Sequence, residues 1–195
     1  MKEETKETQI AAVTGGYVPA AMQSIESGVL VPNQALDIRA NLKGGAVKFT
    51  IGGEGDEGRS IQFHIFDMRR IVGIRPSETY SVPSDFTQLI GLMTFGTKKV
   101  LANVTFGGTA AETVADIIPL LKLKSDKLGC LEFICEITLE ETSNKKKQKF
   151  GVARISYRKA TQDEIALAIT AIETNADACF RFRDMPNIDE KEATA

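Results

Sequence analysis

From Leu36 onward the chain alternates, with Leu36, Ile38, Ala40 and Leu42 on one side and Asp37, Arg39, Asn41 and Lys43 on the other. Side chains of an extended chain point to opposite faces in turn, so this period of two predicts a strand reaching Ile51. Gly44-Gly45 interrupts it as a turn or a bulge in a curved strand would. A second strand is predicted at Ser60 to Met68, and a third at Lys99 to Phe106, where Val100, Ala102, Val104 and Phe106 share a face. The clearest alternation runs from Cys130 to Glu141: Leu131, Phe133, Cys135, Ile137 and Leu139 alternate with Glu132, Ile134, Glu136, Thr138 and Glu140. With Phe150 to Lys159 beyond the turn Thr142 to Lys147, it predicts a long hairpin that carries Asn144-Lys145-Lys146-Lys147 at its tip.

Helical spacing replaces alternation in two places. Thr109-Ala110-Ala111-Glu112 has capping-box spacing, and Val114, Ile117, Ile118 and Leu121 give the following helix an apolar face; Pro119 lacks a donor N–H and should kink or end it. Thr161-Gln162-Asp163-Glu164 repeats the box before Ile165, Ala168, Ile169, Ile172 and Ala176, which predicts a C-terminal helix. Residues 73–97, rich in Gly, Pro, Ser and Thr, predict a long loop with one helical turn near Asp85 to Met93. Gly52 to Gly58 reads as a hairpin loop, since Glu54, Asp56 and Glu57 would repel a phosphate from its glycine backbone. Residues 1–9 read as a disordered polar leader, and Pro19 to Ser27 as a short helix stopped by Gly28. The organisation expected is an N-terminal extension over 1–35, partly disordered, a β domain over 36–159, and a C-terminal helix with an acidic tail over 160–195.

Composition narrows the class. Of 195 residues 43% are hydrophobic and 26% charged, which is the balance of a chain that folds around a core. No apolar run approaches the roughly 18 residues of a membrane span. The start MKEETKETQ lacks the basic and apolar segments of a secretory signal, so a cytoplasmic protein is expected, with no membrane partner. Cys130, Cys135 and Cys179 lack zinc-ligand spacing and read as buried small hydrophobes, the first two on opposite faces of one strand. His64, the only histidine, sits in an apolar strand and reads as structural. There is no phosphate loop, no dinucleotide fingerprint and no HExxH, so neither an enzyme nor a cofactor or metal is expected.

The net charge of −2 conceals a polarity along the chain. Residues 98–159 carry twelve basic against seven acidic groups, and residues 160–195 carry three against eight. Aromatic rings are interleaved with the basic groups: Phe63 and Phe66 precede Arg69 and Arg70, Phe150 follows Lys149, and Tyr157 lies beside Arg158. Taken singly, Phe63, Phe66 and Phe150 read as core, which leaves Tyr157 as the stacking candidate.

The predicted order is three strands, a helix, two strands and an added helix. It resembles the OB-fold, a five-stranded Greek-key barrel with a helix between its third and fourth strands. The fold class expected is therefore α+β and mainly β: an OB-like curved sheet or barrel of five strands plus a C-terminal helix. The resemblance implies a ligand face on the second and third strands, flanked by the loops joining strands one to two and four to five. The implied function is binding of single-stranded DNA or RNA with little sequence preference. Backbone neutralisation falls to Lys43, Lys48, Arg69, Arg70, Lys99, Lys145, Lys146, Lys147, Lys149, Arg154 and Arg158, and base stacking to Tyr157. Against it stands the acidic loop Gly52 to Gly58 in the one-to-two position. A homo-oligomer is expected, with the acidic stretch Asp184 to Glu192 available to a protein partner. The competing reading is a self-assembling structural protein such as a virion or tube subunit, whose oppositely charged regions make head-to-tail contacts.

Overall fold

A computed structural model describes residues 35–44, 46–51, 58–75, 82–95 and 98–184. The readings made for 1–34, for loop residues 52–57 and for the tail 185–195 lie outside the described residues.

The described chain is α+β and mainly strand. Seven strands are present: β1 (Leu36–Asn41), β2 (Lys48–Ile51), β3 (Ser60–Arg75), β4 (Val82–Phe95), β5 (Lys98–Gly107), β6 (Phe133–Ser143) and β7 (Lys149–Lys159). They form one sheet in the order β2-β1-β5-β4-β3-β6-β7, curled into a half-barrel. Helix α1 (Thr109–Lys124) joins β5 to β6, and α2 (Gln162–Thr174) and α3 (Ala176–Asp184) follow β7. The consecutive strands β3, β4 and β5 pair antiparallel, and β6 returns through α1 to pair beside β3. That is Greek-key order. The pairing of β1 with β5 is parallel.

Several expectations are corrected. There are seven strands where five were expected, so the helix follows the fifth strand and not the third. The strand predicted across 36–51 is folded back on itself as the β1–β2 hairpin, with Ala46 N–H donating to the Lys43 carbonyl at 3.0 Å and Lys43 N–H to Asn41 Oδ1 at 3.1 Å. The loop predicted at 73–97, with its helical turn, is largely strand β4. Leu89 and Met93 are buried on one face of β4, Ile90 and Leu92 on the other. A strand buried on both sides shows no alternation to read.

Helix α1 begins differently from its expected capping box: Gly108 is the N-cap, and no side chain caps the helix. It also runs past Pro119. A proline inside a helix costs about 3 kcal/mol, and burying a leucine returns about 2 kcal/mol. Leu121, fully buried one half-turn beyond, together with Ile117 and Ile118 just before, offsets that cost. The box at Thr161 does form, Thr161 Oγ1 accepting from Glu164 N–H while the Glu164 carboxylate accepts from Thr161 N–H.

The inner face of the sheet packs on α1. Phe49, Phe63, Phe106, Leu89 and Ile137 surround Val114, Ile118 and Leu121 in one core. Cys130 and Cys135 both belong to this core, contrary to the expectation of opposite faces, because Cys130 lies in a 3-10 turn (Gly129–Glu132) that precedes β6. Burial raises both thiols, that of Cys135 to about 12, so each behaves as a small apolar group. His64 is buried on the outer face, its Nε2 2.8 Å from the Leu131 carbonyl.

The two ends of the curled sheet meet at one point. Lys43 forms an isolated bridge with Phe150, and Gly151 N–H donates to the Leu42 carbonyl at 2.8 Å. This seam requires glycine: a Cβ on Gly151 would stand 2.9 Å from Leu42 Cα, and one on Gly44 would overlap the Lys149 carbonyl oxygen. The other irregular segment, between α1 and β6, is held by Glu132. Its carboxylate accepts from the backbone N–H groups of Asp126, Lys127 and Leu128 at 2.7–2.9 Å, which hold it at about 2.

Two outcomes follow from these contacts. Gly151→Ala is expected to destabilise the fold by about 2 kcal/mol, read as a lower urea midpoint with an unchanged denaturant slope. Glu132 has a folded pKa depressed below its ordinary 4.5, so its contribution is complete above that value and is lost as pH falls toward 2. The urea midpoint should therefore fall over that window, and Glu132→Gln should flatten the fall.

Candidate nucleic-acid interface

The β6–β7 turn is built by Asn144. Its Oδ1 accepts from the N–H groups of Lys146 at 2.9 Å and Gln148 at 3.0 Å, and its Nδ2 donates to Gln148 Oε1 at 2.8 Å. Backbone bonds from Asn144 N–H to the Gln148 carbonyl, and from Lys147 N–H to the Asn144 carbonyl, close a three-residue loop. Lys145, Lys146 and Lys147 are therefore exposed on a hydrogen-bonded tip. Lys147 holds φ at 61°, the left-handed position that this loop type normally gives to glycine. A side chain there costs about 1 kcal/mol.

The seam places Lys43, also exposed, beside β7 at the base of this turn. Lys48 lies opposite Asn41 on β2. Arg59, exposed and with its carbonyl accepting from Leu139 N–H at 2.7 Å, joins the same end of the sheet. Sequence reasoning missed it, because it abuts the acidic loop and the pairing of β3 with β6 is not a local signal. Lys149 belongs to this end too, but its ammonium is 2.8 Å from Glu141.

The remaining predicted residues lie elsewhere. Arg154 and Arg158 point outward from β7, and each is paired with a carboxylate: Arg154 with Glu140, and Arg158 with both oxygens of Glu164 at 2.7 and 2.8 Å. The Arg158 guanidinium holds Glu164 at about 2. Tyr157 is on the opposite face of β7, half-buried against the core. Its ring stands edge-on to Phe133 at 5.7 Å, with the Lys124 ammonium over it at 5.3 Å. The structure therefore separates Tyr157 from the two arginines with which it was grouped.

Arg69, Arg70 and Lys99 occupy the β3–β4–β5 meander. A register shift between Ile65 and Asp67 reverses the alternation of β3, so Arg69 pairs with Gln88 on the outer face. Arg69 Nε donates to Gln88 Oε1 at 2.7 Å, and Gln88 Nε2 donates to Thr105 Oγ1 at 3.0 Å, a polar row across three strands. Burial lowers the Arg69 pKa from its ordinary value, and the Phe182 ring of α3 lies 4.9 Å from its guanidinium. Arg70 pairs loosely with Asp85 at 3.7 Å, and Lys99 donates to Thr94 Oγ1 at 2.6 Å.

Among the described residues no group of three or more His, Cys, Asp or Glu side chains could hold a metal ion, and no helix is long and apolar enough to cross a membrane. The arrangement offers cations, of which Lys43, Lys145, Lys146 and Lys147 have no ion-pair partner among the described residues. Comparison with family models, with curated proteins and with solved structures returned no match.

Lys147→Gly should relieve the left-handed strain and raise stability by about 1 kcal/mol. The check is a higher urea midpoint for this variant than for Lys146→Gly, whose backbone carries no positive φ.

Proposed function

We propose that the protein binds single-stranded nucleic acid with little sequence preference, and that the hairpin end of the half-barrel grips the phosphate backbone. The observation that carries this reading is the lysine tip. Three adjacent cations stand on a turn fixed by Asn144, without carboxylate partners among the described residues, and the third occupies a backbone position where glycine would be more stable. Solubility alone would be served by lysines at unstrained positions. A strained backbone kept with its charge argues for a use of that charge.

The topology supports the same reading. Strands β3 to β7, with α1 between the third and fourth of them, follow the element order of the OB-fold, and the β1–β2 hairpin is an addition ahead of it. On this alignment β3 is the first strand, and the four-to-five loop is the lysine tip. The one-to-two connection falls on residues 76–81, outside the described residues. The acidic stretch Gly52 to Gly58 is then not one of the two loops that the resemblance makes ligand-flanking, but it directly precedes Arg59 in the chain and still counts against an anionic ligand at that end. Strands two and three become β4 and β5, whose outer face carries Gln88 and Thr105 beside Arg69.

The test is fluorescence anisotropy of a labelled oligo-dT strand at two salt concentrations. Each phosphate neutralised on a single strand contributes about 0.7 to the slope of log K against log salt. Replacing Lys145, Lys146 and Lys147 together by Ala should weaken binding and reduce that slope by about 2. Absence of salt-sensitive binding by the unaltered protein at micromolar concentration would overturn the proposal.

A further inference from the structure

Helix α3 packs Phe182 on the outer face of the β3–β4–β5 meander, and three features there mark the ring as a stand-in for a ligand. The first is the size of the contact. Phe182, 3% exposed, closes a cluster with Ile90 and Leu101 buried and Ala35, Phe66, Ala178 and Cys179 partly so, separate from the main core. Burying one Phe side chain contributes about 2 kcal/mol, which is the scale of the apolar part of this contact.

The second is the kind of contact. Phe182 presents its ring to the Arg69 guanidinium at 4.9 Å, the arrangement that a nucleobase adopts on an arginine. The third is an unsatisfied polar atom on the same face of the sheet. Asn103 pairs with Ile90 and with Asp37 in the row beside Arg69, and its side-chain carbonyl oxygen is buried without a hydrogen-bond partner. An unsatisfied buried acceptor costs about 1–3 kcal/mol. The hydrocarbon ring of Phe182 cannot satisfy it, whereas every nucleobase carries an N–H donor.

We infer that α3 is an intramolecular latch: Phe182 occupies a base-stacking position on Arg69, and single-stranded nucleic acid displaces the helix to stack there and donate to Asn103. This rests on the proposed nucleic-acid binding and adds its regulation. The free protein keeps the position on Arg69 occupied by Phe182, while the lysine tip stays exposed to make first contact with the strand. Binding energy gained at the tip and at Arg69 then frees that position.

The experiment compares the unaltered chain with Phe182→Ala in anisotropy titrations against labelled oligo-dT, and follows amide hydrogen exchange of residues 176–184 with and without the strand. Phe182→Ala should bind about tenfold more tightly, and the strand should speed exchange in α3 of the unaltered protein. If Phe182→Ala loses its cooperative melt, Phe182→Leu keeps the apolar plug without the ring and should bind about threefold more tightly. Binding by the unaltered chain with no gain in either variant, and with α3 exchange unchanged or slowed by the strand, would overturn the latch and leave the function standing. No binding by any of the three proteins would overturn both.

Discussion

The fold depends on one strand serving two neighbours. The first residues of β3, Ser60 to Phe63, pair with β6, and the stretch from Phe63 to Arg75 pairs with β4. A strand that leaves one partner for another must bend, and the register shift between Ile65 and Asp67 is where the extra residue is accommodated. The bend lets the sheet curl until β7 meets the turn after β1. It also reverses the face of every residue beyond it. Without that reversal Arg69 would point into the core on α1, where its charge would lack the polar row that Gln88 and Thr105 supply.

The curl in turn decides where charge is available. Bringing Phe150 against Lys43 sets that lysine at the base of the lysine tip, while the outer face of β7 neutralises its own arginines with Glu140 and Glu164. The positive count of residues 98–159 is thus only partly a field that a ligand would feel. Surface pairs of this kind contribute at most about 1 kcal/mol to stability, but they cancel charge at short range. The lysine tip keeps its charge because its neighbours on the turn are Asn144 and Gln148, which hydrogen-bond to each other.

How much of this was legible in the sequence follows from which signals are local. The β6–β7 hairpin, the Thr161 capping box and β5 were readable because each writes its pattern within about ten residues. Strand β4 was not, because Leu89 and Met93 face α1 while Ile90 and Leu92 lie on the outer side, and burial on both faces erases the alternation. The β1–β2 reversal was half-visible in Gly44-Gly45, but whether glycines bend a strand or end it depends on what approaches them, here the backbone of Lys149. Of the candidate site, the lysine tip was read correctly as exposed. The grouping of Tyr157 with Arg154 and Arg158 failed on parity, since residues an odd number apart on one strand face opposite ways. Arg59 and Phe182 were invisible as site residues because only tertiary pairing brings them there.

The central claim is that a single strand of nucleic acid is held between the lysine tip and the outer face of the meander. An amide chemical-shift titration of the full chain with oligo-dT tests it most directly. The account predicts salt-sensitive shifts confined to Lys145–Lys147 and the adjoining seam at Lys43, together with shifts at Arg69, Gln88, Asn103 and α3. Shifts spread evenly over the surface, or confined to regions away from both the tip and that face, would contradict it.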